Sequence, residues 1–228
     1  EGLRREFLAN VSHDLRSPLT SINGFLIALM DGAISNDRKQ HYYNLMKVET
    51  ERLIKLVNDL LDVTQLESGQ LKLNLKNYNI TEQLRVITAK LEPQLNGSKI
   101  NIKLDSPNDD LYVFADQDRM EQVFINLLGN AIQFSSPNSF IYLNVIKEQE
   151  KVKIVVRDKG KGIKEEELPF IWDRFYKSDK ARSKKVGMGI GLSIVKSIIQ
   201  LHDSEIHVKS KVGTGTEFSF SLNLTNKS

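Results

Sequence analysis

Apolar residues recur along the first third of the chain in steps of three and four. Leu8, Val11, Leu15, Ile22 and Leu29 fall on one stripe, and Pro18 occupies one of its slots. That period belongs to a helix with one buried face. A turn-like segment, DGAISND at 31–37, interrupts it. A second stripe follows from about residue 37 to 68, made by Leu53, Leu56, Leu60 and Val63 and widened by Leu45, Val48, Val57 and Leu61. Two helices with one apolar face each leave a long apolar surface. The pattern therefore predicts an α-helical hairpin that pairs with a second copy into a four-helix bundle. The competing reading is that the remainder of the chain covers the same face.

The texture changes at Ser68-Gly69. LKLNLKNYNI (71–80) alternates like a strand, and TEQLRVITAKLEPQL reads as a helix. KINIKL and LYVFA read as strands, and Asp116 is placed to cap the helix DRMEQVFINLLGNAIQF. Strands FIYLNVI and KVKIVVRD, a helix from about Ile190 to His202, and strands EIHVKS and TEFSFSL complete the pattern. Strands mixed with helices at hairpin-like spacing predict an α+β sandwich with its helices on one sheet face. The expected domains are 1–69 and 70–228.

Composition narrows the function classes. A net charge of +3 on 228 residues is too small to point to nucleic acid or an anionic membrane. The absence of cysteine excludes disulfides, thiol catalysis and cysteine-ligated metals. No apolar run approaches the roughly 20 residues of a membrane helix, and no signal peptide is visible. The chain opens on EGLRREF, helical in character but without a cap. It is expected to be a fragment of a longer chain that continues upstream, where any membrane contact would lie.

Four stretches carry candidate chemistry. In VVRDKGKGI (155–163) a strand ends at Asp158, and Gly160 and Gly162 follow. Glycines there let backbone approach a ligand, and the carboxylate can accept a hydrogen bond from it, although a plain turn has the same pattern. In VGMGIGLSIVKSII, Gly187, Gly189 and Gly191 lead into a helix, an arrangement suited to phosphate. A dinucleotide fold would place a strand just before such glycines. SDKARSKK stands there instead, which predicts a basic lid over a polyphosphate. In NLLGNAIQFS, Asn126 and Asn130 share a helix face, and amide oxygens suit Mg2+ that is held mostly by phosphates and water. Surface amides are the alternative. The aromatic knot FIWDRFYKSDKAR fits core packing and an anchor for the lid.

The order of these stretches resembles the two-component sensor histidine kinases. SHDLRSPL is similar to their histidine box, NLLGNAIQF to the asparagine box, RDKGKGI and VGMGIGL to the two glycine boxes, and GTGTEF to the terminal glycine-threonine element. The resemblance implies a dimerisation and phosphotransfer hairpin, a homodimer through 1–69, and an ATP-binding domain of the gyrase/chaperone/MutL type. It implies His13 as phosphoacceptor, with Asp14 orienting it. Asn130 would hold Mg2+ with Asn126 helping, and Asp158 would accept from the adenine amino group. Gly160 and Gly162 would line the adenine pocket, with Thr216 helping to close it. Gly187, Gly189 and Gly191 would face the phosphates of ATP, with Leu192 against the base. Lys177 stands where many members carry a phosphate-binding Arg. The implied partner is a response-regulator receiver domain, which takes the phosphoryl group on an aspartate.

Three positions depart from the family pattern. Gln133 replaces a Lys of the asparagine box, so one phosphate cation is missing. Ser17 replaces the Thr or Asn that serves phosphatase action, which leaves that half of the function open. Asp14 replaces the commoner Glu.

His13 lies about 200° round the helix from stripe residue Val11 and is expected to face solvent. Near neutral pH an imidazole nitrogen can attack phosphorus, and Asp14 can fix the tautomer. Pro18 removes the hydrogen bond to the carbonyl of Asp14, beside the nucleophile. Two rivals remain at this point. An ATP hydrolase of the gyrase/chaperone/MutL class would carry Glu where this chain has Asn126, since an amide cannot act as a general base. A non-catalytic ATP-binding scaffold would account for Gln133 and Ser17 as decay.

Overall fold

The computed structural model describes residues 2–107, 110–177 and 189–226, with side chains from residue 11. Two compact units form, one on the helices up to Leu71 and one on Lys72–Tyr176 with Leu192 onward.

The first unit is a hairpin of α1 (Gly2–Met30) and α2 (Lys39–Glu67), joined through a short 3-10 turn at Asn36–Arg38. Pro18 is buried and does not end α1. Val11 on α1 and Leu56 and Val63 on α2 are buried, as their stripes predict, and Phe25 meets Tyr42 edge-on at 5.6 Å. Three of the four residues that widen the second stripe point outward, while Leu45 is half-buried. Val48, Val57 and Leu61 are exposed, as are Leu26, Ile27 and Met30 on α1.

The second unit is a seven-stranded sheet in the order β1-β3-β7-β5-β4-β2, with β6 also on β7. Its strands are β1 (Lys76–Asn79), β2 (Asn101–Asp105), β3 (Tyr112–Ala115), β4 (Phe140–Glu148), β5 (Lys151–Arg157), β6 (His207–Lys211) and β7 (Gly215–Thr225). Only β2 and β4 pair in parallel. Helices α3 (Ile80–Ser98), α4 (Gln117–Phe134) and α5 (Gly191–Leu201) supply the apolar layer. Alternation sorts the faces: Leu143, Val156 and Phe218 stand in register and are all buried, and Phe124 of α4 meets Phe220 of β7 at 6.0 Å.

The predicted strand 71–80 is corrected. Only Lys76–Asn79 pair, and α3 already begins at Ile80, capped by Asn79. The reason is a long-range contact: the Asn74 N–H donates to Asp116 Oδ2 at 2.8 Å and not to a neighbouring strand. Asp116 also caps α4 as predicted, its Oδ1 accepting from Arg119 N at 3.1 Å. Asp116 N–H in turn donates to His202 Nε2 at 3.0 Å, while Nδ1 of the same ring lies 2.8 Å from Ile198 O. His202 is thus a structural joint between α4 and α5, with Nδ1 carrying the proton.

Asp59 sits one turn from Leu56 and from Val63 on the same α2 face. Burial lifts its carboxyl from an ordinary 3.8 to about 6, with Lys55 opposing the rise and Asp62 adding to it. The folded chain therefore holds this proton more tightly than the unfolded chain. Its contribution to stability is present below about pH 4 and is lost as pH rises through about 6. Asp59→Asn is expected to lack this loss and to be more stable than wild type at neutral pH, read by denaturant unfolding at both ends of that window.

Candidate functional site

Asp158 follows β5 directly, and its backbone stays in the sheet: its N–H donates to Thr216 O at 2.9 Å. The side chain is buried, and Oδ1 accepts from Gly160 N at 2.7 Å and from Thr216 N at 3.2 Å. Burial raises the carboxyl above its usual range, and these backbone donors pull it back down. The carboxylate is thus fixed at the end of a strand by N–H groups of the segments on either side of it.

The loop that follows is tied at nearly every step. Lys161 N–H donates to Phe134 O, Gly213 N–H donates to Lys161 O, and Ile163 N–H donates to Ser210 Oγ. Gly160 bridges Ser135, and Lys161 lies over the Phe134 ring at 4.5 Å. This brings the loop against the last turn of α4. Two of the predicted glycines have a reason beyond a turn. A Cβ on Gly160 would stand 2.3 Å from Phe134 O, and one on Gly162, at φ +70°, would stand 2.1 Å from Lys211 O. Gly215, in the quoted GTGTEF but given no role there, has φ +124° and would bring a Cβ to 2.1 Å from Asp158 O. Nothing in a single sequence separates such a close approach from an ordinary turn glycine.

Asn126, Asn130 and Gln133 follow one another down one stripe of α4, whose C-terminal end meets this loop. Asn126 is buried, and its Nδ2 has no hydrogen-bond partner among the described residues. An orphaned amide at a buried position is costly unless a ligand takes it. Asn130 and Gln133 are half-buried. No cluster of three His, Asp or Glu suited to a metal exists among the described residues. The donor set fits an ion that brings its own phosphate and water ligands, as Mg2+ does.

The last turn of α4, the helix that carries Asn126, Asn130 and Gln133, thus lies against the loop of Gly160 and Gly162, which Asp158 and Thr216 flank. Thr216 reaches Asp158 through its N–H, and its hydroxyl lies 2.9 Å from Ser210 Oγ. Gly189 has φ +74°, Gly191 opens α5, and Leu192 is half-buried in its first turn. Gly187 and the predicted basic lid lie outside the described residues; Lys177 is the last residue described before them. The aromatic knot is anchored to the sheet unit: Trp172 meets Phe218 edge-on at 5.9 Å, Lys196 of α5 lies over the Trp172 ring, and Ile171 is buried.

On α1, His13 faces solvent, its side chain 69% exposed, with Nδ1 3.2 Å from Asp14 Oδ1. Donation from Nδ1–H to that carboxylate leaves the lone pair on Nε2, which points to nucleophilic chemistry there. Ser17 is half-buried one turn further on.

Comparison with known proteins agrees with this arrangement. Residues 3–69 match the His Kinase A (phospho-acceptor) domain, and residues 115–226 match the histidine kinase-, DNA gyrase B-, and HSP90-like ATPase. The sensor histidine kinase YclK of Bacillus subtilis (strain 168) is 36% identical over 229 residues, covering all of this chain and 48% of that protein. The chain thus spans about half the length of this relative. Among solved structures, the Acinetobacter baumannii histidine kinase AdeS matches with a TM-score of 0.71 at 25% identity, covering 94% of this chain and 98% of that one. The histidine kinase ThkA, in complex with the response regulator protein TrrA, matches with a TM-score of 0.68 at 27% identity, covering 96% and 61%. Among the described residues, no helix is long and apolar enough to cross a membrane.

The tight approach of Gly160 to Phe134 gives a direct test. Gly160→Ala is expected to push the loop away from α4, destabilising the chain by about 1–3 kcal/mol and weakening nucleotide binding. Denaturant unfolding and calorimetric titration measure the two effects.

Proposed function

The chain belongs to the sensor histidine kinase family, and on that premise we propose that it is a protein-histidine kinase core, phosphorylating His13 from ATP and passing the group to a response regulator. The proposed domains are a phosphotransfer hairpin at 1–69 and an ATP-binding domain at 70–228. The observation that carries the reading is one chain bearing both a solvent-facing His13 with Nδ1 on Asp14 and a buried carboxylate, Asp158, held by backbone donors.

In the proposed reaction Asp158 accepts a hydrogen bond from the adenine amino group, which selects the base. Thr216 and the glycines at 160 and 162 shape the adenine end. Asn126, with its unpartnered Nδ2, donates to a phosphate oxygen. Gly187, Gly189 and Gly191 are assigned to the phosphates of ATP, where the N-terminus of α5 favours negative charge. Lys177 adds a cation, and Leu192 packs on the base. Asn130 would hold Mg2+, which would supply neutralisation of the phosphate charge.

His13 Nε2 attacks the γ-phosphorus. A P–N bond forms as the P–O bond to the β-phosphate breaks, and ADP departs with the electron pair. Asp14 holds the Nδ1 proton and stabilises the positive charge that develops on the ring. The phosphoramidate then yields its phosphoryl group to an aspartate of a receiver domain; the ThkA complex with TrrA supports a partner of this class. Ser17 offers a hydroxyl one turn from His13 for orienting the water that would hydrolyse the regulator's aspartyl phosphate, an activity that the replaced Thr or Asn leaves open. Hydrolysis of ATP is the weaker reading, because the buried Asn126 amide cannot take a proton from water.

The exposed Leu26, Ile27, Met30, Val48, Val57 and Leu61 support a homodimer through the hairpin. The extra length of the relatives supports a sensor region outside this chain, with this part on the cytoplasmic side of a membrane.

Incubation with γ-labelled ATP and Mg2+ is expected to give an acid-labile, base-stable label on the wild-type chain and none on His13→Gln. Asp158→Asn is expected to bind ATP at least about tenfold more weakly, the scale of one hydrogen bond to a charged group. Phosphate release without any protein label would instead establish hydrolysis.

A further inference from the structure

Ser210, on β6, is absent from every motif considered above, yet it joins three segments of the nucleotide end. Its Oγ stands 2.8 Å from Ile163 N, 3.0 Å from Gly215 O and 2.9 Å from Thr216 Oγ1. A hydroxyl has one proton and two acceptor positions. Ile163 N–H can only donate, and Gly215 O can only accept. The Ser210 proton therefore goes to Gly215 O, and the Thr216 hydroxyl donates to Ser210. One proton assignment satisfies all three contacts.

The two ends that Ser210 holds are the two that flank Asp158. One is the loop from Asp158 to Ile163, which carries the Gly160 N–H. The other is Gly215-Thr216, which carries the Thr216 N–H. Both N–H groups converge on Asp158 Oδ1. Gly215 also lies so close to Asp158 that no side chain fits between their backbones. A shift of either segment turns the carboxylate.

We propose that Ser210 is a positioning residue for adenine selectivity, its hydroxyl clamping the Asp158 loop to the start of β7 so that the carboxylate meets the base in one orientation. The proposal rests on the reading of Asp158 as the group that recognises the adenine amine. Removing the hydroxyl leaves Ile163 N–H without its acceptor and Gly215 O without its donor, and the carboxylate loses its fixed aim.

The test is competition of ATP and of inosine triphosphate against a fluorescent ATP analogue on the 228-residue chain. Inosine carries an oxygen where adenine carries the amine, so its nucleotide cannot donate to Asp158. Wild type is expected to prefer ATP by about tenfold or more, the ratio such a bond carries. Ser210→Ala is expected to bring the two affinities within about threefold, with the loss falling on ATP. Ser210→Thr, which keeps the hydroxyl, is expected to hold the wild-type ratio. A general loss of stability would weaken both nucleotides equally and leave the ratio alone. A wild-type ratio in Ser210→Ala overturns the proposal. No ATP preference in wild type overturns the reading of Asp158 on which it rests. Should Ser210→Ala not fold, Ser210→Cys, of nearly the same volume and a weak acceptor, decides the matter by the same ratio. Without nucleotide, the Ile163 amide is expected to exchange faster in either variant; unchanged exchange also counts against the clamp.

Discussion

One carboxylate oxygen, Asp158 Oδ1, is the constraint around which the sheet unit is arranged. A buried acid is tolerated only when its lone pairs are met by donors. Here the donors are backbone N–H groups, one from the loop just after the strand and one from the neighbouring strand. Backbone donors reach a side chain so close to its own strand only if the chain folds back tightly. That explains the positions of Gly160, Gly162 and Gly215, where added Cβ atoms would overlap other backbone. On the proposed reading this end is organised by the protein itself, which lowers the ordering cost of a bound nucleotide.

The hairpin unit follows the opposite logic. Its proposed phosphoacceptor, His13, is exposed, has Nδ1 beside the Asp14 carboxylate and sits on a helix. On the proposed reading, an acceptor that must meet two different proteins or domains in succession cannot be buried, and preorganisation there is limited to the tautomer that Asp14 favours. That reading gives selectivity to the sheet unit and accessibility to the hairpin.

Much of this was readable in the residues. Period alone located both long helices, because Val11, Leu56 and Val63 are buried as their spacing requires. The cap at Asp116 was legible because a carboxylate before an apolar helix has one common use. The strand at 71–80 is shorter than its pattern because alternation at Leu71 and Leu73 does not reveal that Asn74 N–H is diverted to Asp116, a residue far along the chain. The role of His202 is not legible for the same reason: its partners are Asp116 and Ile198, and only the fold brings Asp116 to it. Ser210 was invisible, since a serine on a polar edge strand has no distinguishing neighbours in sequence. Local periodicity survives in one dimension, while hydrogen bonds across long separations do not.

The placement of β7 has a consequence for synthesis. It is the last of the described strands in chain order, yet it lies inside the sheet and pairs with β3, β5 and β6. Until it leaves the ribosome, β3 and β5 each expose an unsatisfied edge, and a strand so exposed is a template for wrong pairing. The hairpin, built from contacts close in sequence, can form while translation continues. The sheet unit must wait, and a nascent chain at that stage is the form most in need of a chaperone.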